Sequence, residues 1–338
     1  MISSFATLVT TAKNEAPYIW EWVAYHRALG FDNIIMFQND SDDGTGKIMQ
    51  TLAKAGVVQY LYNSAPRGTH QVRAYKRATR QAGYLSADWI MALDLDEFLV
   101  INTDDGTLGS LISALPAKTD CAFLNWKRFG TGHQRKIDHG LVTDRFTLCE
   151  YDRWVANRTI PFKSLFRNEK FLRPGVHRPR LKKGDTAPRT YVNGSGLREG
   201  AFELRNYQCS DPEMRKLAQI NHYITRDAQS FTLKAYKGSA HQANRSIDHS
   251  YWTKRNKNQM EDLRVQRFRD RLIAEMDRIN AATDGVIGQL TRLAVDAHKD
   301  RFRQIVADPA MAKLHRFCAS RPQVPDALRV EPAETLTP

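Results

Sequence analysis

The chain has 338 residues, of which 42% are hydrophobic and 10% aromatic, and this composition excludes a disordered protein. The formal net charge of +13 comes from the later part, because residues 1–120 contain 10 basic and 13 acidic side chains whereas residues 121–338 contain 40 and 24. No window reaches the ~18 apolar residues that a membrane-spanning helix needs, and the N-terminus lacks the basic segment of an export signal.

The first part of the chain alternates between short apolar segments and amphipathic segments. Pro17 opens a helix that ends at Gly30, and Gly56 ends the next helix, which is the usual placement of proline and glycine at helix ends. Short strands that alternate with helices predict an α/β fold with a mostly parallel central sheet and helices on both faces. The predicted strands are 5–11, 33–37, 57–62 and 88–94, and the predicted helices are 17–29, 45–55 and about 70–82.

After Pro116 the alternation weakens and helices come to dominate. Residues 173–200 are rich in glycine, proline and basic residues, which is typical of loops. From about Pro322 the chain has little apolar content and predicts a loose tail. Further strands are predicted at 120–126, 160–166 and 220–225, and helices at about 229–238, 250–282 and 286–306.

Three carboxylates follow the apolar segment DWIMAL, in the sequence DLDEFL. Asp94 and Asp96 are two residues apart, so on an extended segment they face the same side while Leu95 turns toward the core. Oxygen donors of this kind suit Mg²⁺ or Mn²⁺ with open positions for phosphate oxygens. The alternative is that the acids cap the next helix or remain hydrated.

A second polar cluster, FQNDSDDGT, begins with Asn39 at the end of the second predicted strand. Ligands of open α/β sheets bind at the carboxyl ends of the strands, so this cluster and the two aspartates are predicted to lie at one edge. A calcium loop would need an acid at Gln50, and a phosphate loop ending at Lys47 would need serine or threonine at Ile48. Both motifs are therefore excluded.

The ordered segments of residues 5–240 resemble metal-dependent GT-A glycosyltransferases, and the closest resemblance is to the branch of family 2 that grades into family 92. The resemblance implies a GT-A catalytic domain over 1–240, with a nucleotide-sugar-binding half (1–120) and an acceptor half (121–240), then a helical region (241–320) and a loose tail (321–338). The segments that carry it are TTAKNE (10–15), EWVAYHRALG (21–30), NDSDDGT (39–45), DWIMALDLDEF (88–98), WKRFGTGH (126–133), INHY (220–223) and SFTLKAYKG (230–238).

The family resemblance implies transfer of a sugar from a nucleotide donor, most simply a UDP-sugar, to an acceptor hydroxyl of a surface glycan or glycolipid, with inversion. Asp94, Asp96 and His222 would be the protein ligands of Mn²⁺ (or Mg²⁺), whereas Glu97 would be structural. His222 has the alternative of an ordinary satisfied polar residue. The side chains that would bind the nucleotide-sugar are Thr11, Asn14, Glu15, Asn39, Gln71, Arg73, Tyr75, Asp94 and Lys163.

The remaining site residues are less sharply determined by the sequence. Lys163 and Arg167 would stabilise the departing diphosphate. One carboxylate or histidine must remove the acceptor proton, and the candidates for this base are Glu150, Asp152, His177 and Glu199. The sugar and acceptor pocket would contain Trp126, Phe129 and His133, with Gly130 and Gly132 allowing close approach of the ligand, although Trp126 could equally pack against the sheet.

The predicted basic helix over 250–282 has two interpretations. It could lie on an anionic membrane near a lipid-linked acceptor, or its apolar stripe could pack on the domain or on a second subunit, which we favour. Other enzyme classes use a similar sheet, so a metal-dependent nucleotidyltransferase or phosphohydrolase is the alternative function. No nucleic acid-binding pattern is present. The four separated cysteines, Cys121, Cys149, Cys209 and Cys318, favour a cytoplasmic protein.

Overall fold

The computed structural model describes residues 5–66, 68–152, 160–198, 213–237 and 247–320. Glu199, Cys209 and the tail predicted for 321–338 lie outside these ranges. The strands are β1 (Ala6–Ala12), β2 (Asn33–Gln38), β3 (Gln59–Tyr62), β4 (Trp89–Ala92), β5 (Glu97–Ile101), β6 (Cys121–Arg128), β7 (Leu148–Cys149), β8 (Phe162–Arg167), β9 (Tyr191–Asn193), β10 (Ala218–His222) and β11 (Met260–Glu261).

Helices connect most of these strands and form the C-terminal part. Short 3₁₀ helices cover Ala16–Tyr18, Asn168–Lys170 and Arg264–Phe268. The α-helices are α1 (Ile19–Ala28), α2 (Thr45–Lys54), α3 (His70–Ala78), α4 (Ala82–Leu85), α5 (Leu108–Ala114), α6 (Val142–Arg145), α7 (Ala228–Lys237), α8 (His249–Arg255), α9 (Arg269–Ala282), α10 (Val286–Ile305) and α11 (Pro309–Ser320).

One sheet runs through the described part of the chain in the order β3-β2-β1-β4-β8-β6-β10-β5, with β9 beside β6. Its first four strands are parallel, β8 is antiparallel to both neighbours, and β10 returns parallel to β6. Parallel pairings therefore outnumber antiparallel ones, and the predicted α/β class with a mostly parallel sheet is confirmed.

Helices cover both faces of the sheet because successive strand residues point to opposite sides. On one face, Leu8 of β1 packs in a core with α1, α2 and α9. On the other face, Val9 packs in a second core with α3 and α4. Strands β1, β2 and β4 are buried on both sides, which explains why their sequences are mostly apolar.

The strand directions bring distant parts of the sequence to one edge. Because β8 reverses direction between β4 and β6, the carboxyl ends of β1, β2, β4, β6 and β10 all lie at the same edge of the sheet. Asp94 follows β4, Trp126 lies near the end of β6, and His222 ends β10. The fold thereby places a histidine from residue 222 beside two acids from residues 94 and 96.

The C-terminal helices pack against the sheet domain. Leu272, Met276 and Ile279 of α9 are buried in the first core beside α1, and Arg27 of α1 pairs with Glu275 at 2.7 Å. The apolar stripe of α9 is therefore covered by the protein itself, as the favoured interpretation predicts. Among the described helices, none combines the length and apolar character needed to span a bilayer.

The structure corrects several predicted elements. The predicted helix over 250–282 is interrupted between α8 and α9, because the side chains of Asn256 and Asn258 accept hydrogen bonds at 2.8 Å from the backbone N–H groups of Thr131 and Gly132. The predicted helix over 70–82 divides at Gln81, which is extended. Strands β5 and β9 and helices α5 and α11 were not predicted.

Candidate functional site

A tight turn between β4 and β5 presents the two aspartates. The backbone N–H of Asp94 donates to Glu97 Oε2 at 2.9 Å, and the Glu97 N–H donates back to the Asp94 carbonyl at 3.0 Å. Leu95 is buried in the core. The turn therefore fixes both carboxylates at the sheet edge, and the fully buried Glu97 serves as its internal support.

The Asp94 carboxylate is held by two partners from different elements. Gln71 Nε2 of α3 donates to Oδ1 at 3.0 Å, and Lys163 Nζ of β8 donates to Oδ2 at 3.0 Å. The same ammonium lies 3.2 Å from Glu97 Oε2. Burial opposes the charge of Lys163, but the two carboxylates outweigh it and raise the pKa of that ammonium above its ordinary value.

The Asp96 carboxylate faces a lysine and a histidine. Lys234 Nζ of α7 donates to Oδ2 at 3.0 Å, and His222 Nε2 lies 3.6 Å from Oδ1. Burial raises the pKa of Asp96, but Lys234 and His222 lower it by more, so the net pKa lies well below its usual range. Asp96 is therefore ionised at neutral pH.

His222 is positioned by β10 and by an aromatic neighbour. Its ring centroid lies 4.1 Å from that of Trp126, and the next residue, Tyr223, donates its N–H to the Asp96 carbonyl at 2.8 Å. Burial lowers the pKa of His222, so the imidazole is neutral and able to act as a ligand. Its Nδ1 is buried and has no hydrogen-bond partner among the residues that the structure describes.

Asp94, Asp96 and His222 fit a divalent cation by the chemistry of their donors. Two carboxylates and a neutral imidazole are ligands that suit Mn²⁺, and Mg²⁺ is bound at similar sites that contain more oxygen ligands. The side chains of Asp96 and His222 already point toward one another. As the side chains stand, no group of three acidic, histidine or cysteine residues among the described residues is arranged to hold a metal. Lys163 and Lys234 hold the two carboxylates instead.

The loop after β1 carries two of the predicted nucleotide-binding residues. Asn14 has a left-handed backbone, with φ of 54°, and its side chain exchanges hydrogen bonds with Asp42 at 2.6 and 3.0 Å. Glu15 accepts from Arg226 at 2.8 Å, and Lys237 lies 3.9 Å from its other oxygen. The two loops that follow β1 and β2 are thereby joined.

The other predicted nucleotide-binding residues surround the same edge. Asn39 is buried and accepts from Asn63 at 2.7 Å. Tyr75 is buried and its hydroxyl accepts from Gln71 at 2.9 Å, whereas Arg73 is exposed. Thr11 is half-buried near the end of β1, opposite Phe37.

A cavity of about 530 Å³ opens beside Lys234, whose ammonium holds Asp96. It lies between the loops after β1 and β2, helix α7 and helix α10, and Lys234 forms part of its wall. This volume is in the range of ligand pockets. Its charged and aromatic lining consists of Glu15, Tyr18, Asp42, Asp43, Arg226, Lys234, Tyr236, Lys237, His298, Asp300 and Arg301.

The basic side chains of this cavity wall were not predicted from the sequence as site residues. Lys234 and Lys237 lie within the segment SFTLKAYKG, and their spacing of three residues places both on one face of a helix. That spacing is the sequence pattern from which the shared face of the two lysines could have been predicted. Arg226, Lys234 and Lys237 come from the region after β10, whereas His298 and Arg301 come from α10, and no local motif marks α10.

Three of the four candidate bases lie in the described part of the chain. Glu150 is buried and accepts from the Arg128 N–H at 3.1 Å, and Asp152 accepts from Lys127 at 2.9 Å and Arg215 at 3.2 Å. These acids belong to an ion-pair network. Glu199 lies outside the described residues.

His177 is the candidate base that the fold brings toward the aspartates. Its ring lies 5.4 Å from that of Trp126, which also contacts His222. Its Nδ1 lies 2.9 Å from the Phe162 carbonyl, so Nδ1 carries the proton. Burial, followed by the charge of Lys163, lowers the pKa of His177 to about 4. The imidazole is neutral at pH 7.

The predicted sugar pocket is only partly assembled. Trp126 is half-buried beside His222, but Phe129 is fully buried and packs on Tyr223 at 4.8 Å, where no ligand reaches it. His133 is exposed on the following loop, with φ of 63°. Arg167 lies at the opposite end of the sheet, opposite Trp89, and donates to the Thr119 carbonyl at 3.0 Å. It is therefore distant from the predicted diphosphate position.

Gly130 and Gly132 make room for the protein chain, which corrects their predicted role in ligand approach. A Cβ atom on Gly130 would lie 2.4 Å from the Lys257 carbonyl oxygen. A Cβ atom on Gly132 would lie 3.2 Å from the Arg145 carbonyl oxygen, and Gly132 has φ of 55°.

The model of glycosyltransferase family 92 matches residues 8–273 of the chain. A family 92 protein of Oryza sativa subsp. japonica is 29% identical over 92 residues, which cover 27% of this chain. The match spans 15% of the length of that curated relative.

Solved glycosyltransferase structures show weak overall similarity. Glucosyl-3-phosphoglycerate synthase from Mycobacterium tuberculosis, in complex with Mn²⁺, UDP and glucosyl-3-phosphoglycerate, is 13% identical, with 50% of this chain and 58% of that chain covered and a TM-score of 0.28. S. aureus TarS 1-349 in complex with UDP is 14% identical, with 48% and 47% covered and a TM-score of 0.30. Similarity at this level carries no argument about ligands.

Proposed function

The chain belongs to glycosyltransferase family 92 and is a glycosyltransferase, and we propose that it is a metal-dependent, inverting enzyme that uses a UDP-sugar. The acceptor is a hydroxyl of a surface glycan or glycolipid. Family membership decides against the alternative of a nucleotidyltransferase or phosphohydrolase.

The observation that carries this proposal is the approach of His222 to Asp96 at the carboxyl edge of the sheet, next to a cavity whose wall includes Lys234, the lysine that holds Asp96. Asp94, Asp96 and His222 would hold Mn²⁺ or Mg²⁺, and a bound divalent cation supplies Lewis-acid stabilisation of a departing diphosphate. The cavity wall also has three cationic side chains from the region after β10, Arg226, Lys234 and Lys237. The wall also contains the carboxylates of Glu15, Asp42, Asp43 and Asp300, and a nucleoside diphosphate would compete with them for the cationic side chains.

Lys163 has a different role from the one that its sequence position suggests. Its side chain is 1% exposed, and its ammonium is held by Asp94 and Glu97. We therefore propose that Lys163 positions the Asp94 carboxylate and does not bind the diphosphate itself. Gln71 holds the other oxygen of Asp94 in the same way.

We propose that His177 is the base that removes the acceptor proton. With its Nδ1 proton directed to the Phe162 carbonyl, Nε2 is left as the proton acceptor. Carboxylate oxygens of Glu150 and Asp152 are engaged in ion pairs with Arg215 and Lys127. His177→Gln is expected to lower kcat by about 10²-fold or more while UDP binding is retained. An unchanged kcat would exclude His177 as the base.

Thermal unfolding with UDP, in the presence and absence of Mn²⁺, tests the proposed function. We expect UDP to raise Tm only when Mn²⁺ is present, since binding to the folded state stabilises it. Asp96→Ala and His222→Ala are each expected to abolish the shift, whereas Asp138→Ala at an exposed position keeps it. Metal-independent stabilisation by UDP would contradict the metal site. A donor screen that measures UDP release then identifies the sugar.

A further inference from the structure

The two lysines that hold the aspartates differ in how they are built into the protein. Lys163 is 1% exposed and bridges Asp94 to the fully buried Glu97. Lys234 has a side chain that is 33% exposed, and it also donates to the Ile224 carbonyl at 3.0 Å. Lys163 is therefore a fixed part of the turn, whereas Lys234 stands at the surface of the cavity.

Lys234 occupies the same carboxylate that a metal would use. Its ammonium lies 3.0 Å from Asp96 Oδ2, while His222 Nε2 approaches the other oxygen, Oδ1. A divalent cation shared by Asp96 and His222 would repel the ammonium at this distance. A metal on Oδ1 and the ammonium on Oδ2 would share one negative charge, so each cation weakens the binding of the other.

The cavity offers the displaced ammonium a second position. Lys234 lies on α7 with its side chain in the cavity wall, beside Arg226 and Lys237. A bound diphosphate would bring negative charge to this wall, and a lysine on a flexible stem can follow it. Binding of the diphosphate would therefore draw Lys234 away from Asp96 and open the carboxylate to metal.

From these contacts we propose that Lys234 is an internal cation that competes with the divalent metal for Asp96 and thereby couples metal binding to binding of the nucleotide diphosphate. The inference rests on the proposed function. In the free protein Lys234 neutralises Asp96 and weakens metal binding. In the loaded protein its ammonium faces the diphosphate, so metal and nucleotide bind together more tightly than either binds alone.

The test measures Mn²⁺ affinity, by titration calorimetry and by the electron paramagnetic resonance signal of free Mn²⁺, with and without UDP. Lys234→Met is expected to bind Mn²⁺ alone on the order of fivefold more tightly than the wild type, since the ammonium of a partly buried ion pair no longer competes. The tightening of Mn²⁺ binding by UDP is expected to shrink in this variant. Lys234→Arg, which keeps the charge, is expected to retain weak binding of Mn²⁺ alone.

Lys237→Met is the matched control, because Lys237 lines the same cavity but lies 3.9 Å from Glu15 and has no part in holding Asp96. It removes the same charge from the same wall, and its affinity for Mn²⁺ alone is expected to stay within twofold of the wild type. Equal tightening in both variants, or weaker Mn²⁺ binding in Lys234→Met, would overturn the inference.

The two proposals fail in different ways. If the wild type binds Mn²⁺ together with UDP and Lys234→Met does not change the affinity for Mn²⁺ alone, the coupling role is wrong and the proposed function stands. If the wild type binds no Mn²⁺ even with UDP, the metal-dependent function itself is wrong. Circular dichroism confirms folding of each variant, and Lys234→Gln replaces Lys234→Met if the latter does not fold.

Discussion

Single residues at the sheet edge show how closely charge is balanced in this protein. Lys163 compensates two carboxylates, one of them, Glu97, fully buried. A buried charge that loses its partner costs several kcal/mol, which is far more than an exposed ion pair contributes. The same reasoning explains why Lys163 is part of the fold although its sequence position resembles that of a ligand-binding residue.

Lys163→Met is predicted to destabilise the protein by about 1–3 kcal/mol, because Asp94 and the buried Glu97, whose pKa burial raises well above its ordinary value, would lose their shared hydrogen-bond donor. Urea unfolding at neutral pH measures this change. Lys170→Met is the control, since Lys170 is 45% exposed and pairs only with the exposed Glu169, and it is expected to change the stability by less than about 0.5 kcal/mol. A small effect for both variants would contradict the structural role of Lys163.

The sequence identified Asp94, Asp96 and His222 as one site, and the structure brings Asp96 and His222 to 3.6 Å. Acids that follow an apolar strand lie at the sheet edge, and the resemblance supplied the histidine, while the role of the three side chains as metal ligands stays a prediction. Lys234 could not be found in this way. Which carboxylate a helical lysine meets depends on how α7 packs, and a sequence does not record packing angles.

At the scale of elements, the loop after β6 depends on a close approach between two backbones. Gly130 donates its N–H to the Leu148 carbonyl at 2.9 Å and faces the Lys257 carbonyl, while Asn256 and Asn258 bond the next two residues. The segment between α8 and α9 therefore holds this loop in place. A side chain at Gly130 would separate them.

Gly130→Ala is predicted to destabilise the protein by about 1–3 kcal/mol, because the added Cβ would lie 2.4 Å from the Lys257 carbonyl oxygen. Gly46→Ala in helix α2 is expected to change the stability in the opposite direction. A Cβ there meets only Gln38, at 3.9 Å, so we expect an increase in stability of about 0.4–1 kcal/mol. Chemical denaturation of both variants checks the sign of each change, and a stabilised Gly130→Ala would contradict the described packing.

Helix α10 is the element that we connect with choice of acceptor. It lies beyond residue 273, where the family match ends, yet it contributes His298, Asp300 and Arg301 to the cavity wall. Reaction chemistry shared by a family belongs to its common region, so a wall built outside that region is suited to distinguish substrates. Arg301 also lies over the Tyr236 ring, 5.7 Å from its centroid.

Arg301→Ala is predicted to raise the acceptor KM by about tenfold, since a charged hydrogen-bond donor is lost from the cavity, while release of UDP in the absence of acceptor stays within about twofold. Steady-state kinetics with the acceptor from the donor screen measures both quantities. Arg303→Ala on the same helix is the control, because Arg303 is 71% exposed and pairs with Asp300. Equal KM values in all three proteins would assign the acceptor to another surface.

Elements were predictable from sequence wherever one local signal was sufficient. The alternating strands and helices up to β4 were predicted correctly, because proline and glycine mark the helix ends and apolar runs mark buried strands. The prediction was wrong for the segment after α8, because Asn256 and Asn258 fit a helical pattern and yet bond a loop 125 residues away. The backbone N–H groups of Thr131 and Gly132 that they bind come near them only when the protein folds.

At the scale of the whole molecule, the sheet itself joins the two predicted halves. β4 pairs with β8, and β5 pairs with β10, so residues before 120 and after 120 share one hydrogen-bonded surface. The parallel half of the sheet could be predicted from the sequence pattern. The position of β8 between β4 and β6 did not, because β8 and β9 lie far along the chain from their partners and long-range pairing leaves no local signal.

The first core also contains a buried histidine that makes the stability of the whole molecule depend on pH. His26 is fully buried, its Nδ1 lies 2.8 Å from the Trp22 carbonyl, and its Nε2 accepts from the Leu99 N–H at 3.4 Å. Both nitrogens are therefore satisfied in the neutral form. Burial lowers the pKa of His26 to about 3, because a proton on Nε2 would face the Leu99 N–H.

This lowered pKa fixes the sign of the effect. Between the ordinary pKa of about 6.5 and the folded pKa of about 3, the unfolded chain binds a proton that the folded chain excludes, so the free energy of unfolding rises with pH. This contribution is present above pH 6.5 and is lost as the pH falls toward 3. Each such group gives a slope of about 1.4 kcal/mol per pH unit.

His26→Gln is predicted to lower the stability at pH 7, since the hydrogen bonds to Trp22 and Leu99 are disturbed, and to reduce the slope between pH 4 and 6 by about 1.4 kcal/mol per pH unit. Urea unfolding at a series of pH values measures the slope. His133→Gln is the matched control, because His133 is exposed on the loop after β6 and its replacement should leave the slope unchanged. His177, with a pKa of about 4, gives a slope of the same sign, so some dependence on pH should persist in His26→Gln. A wild-type slope retained in full would mean that His26 is protonated in the folded protein, which its two hydrogen bonds and its complete burial oppose.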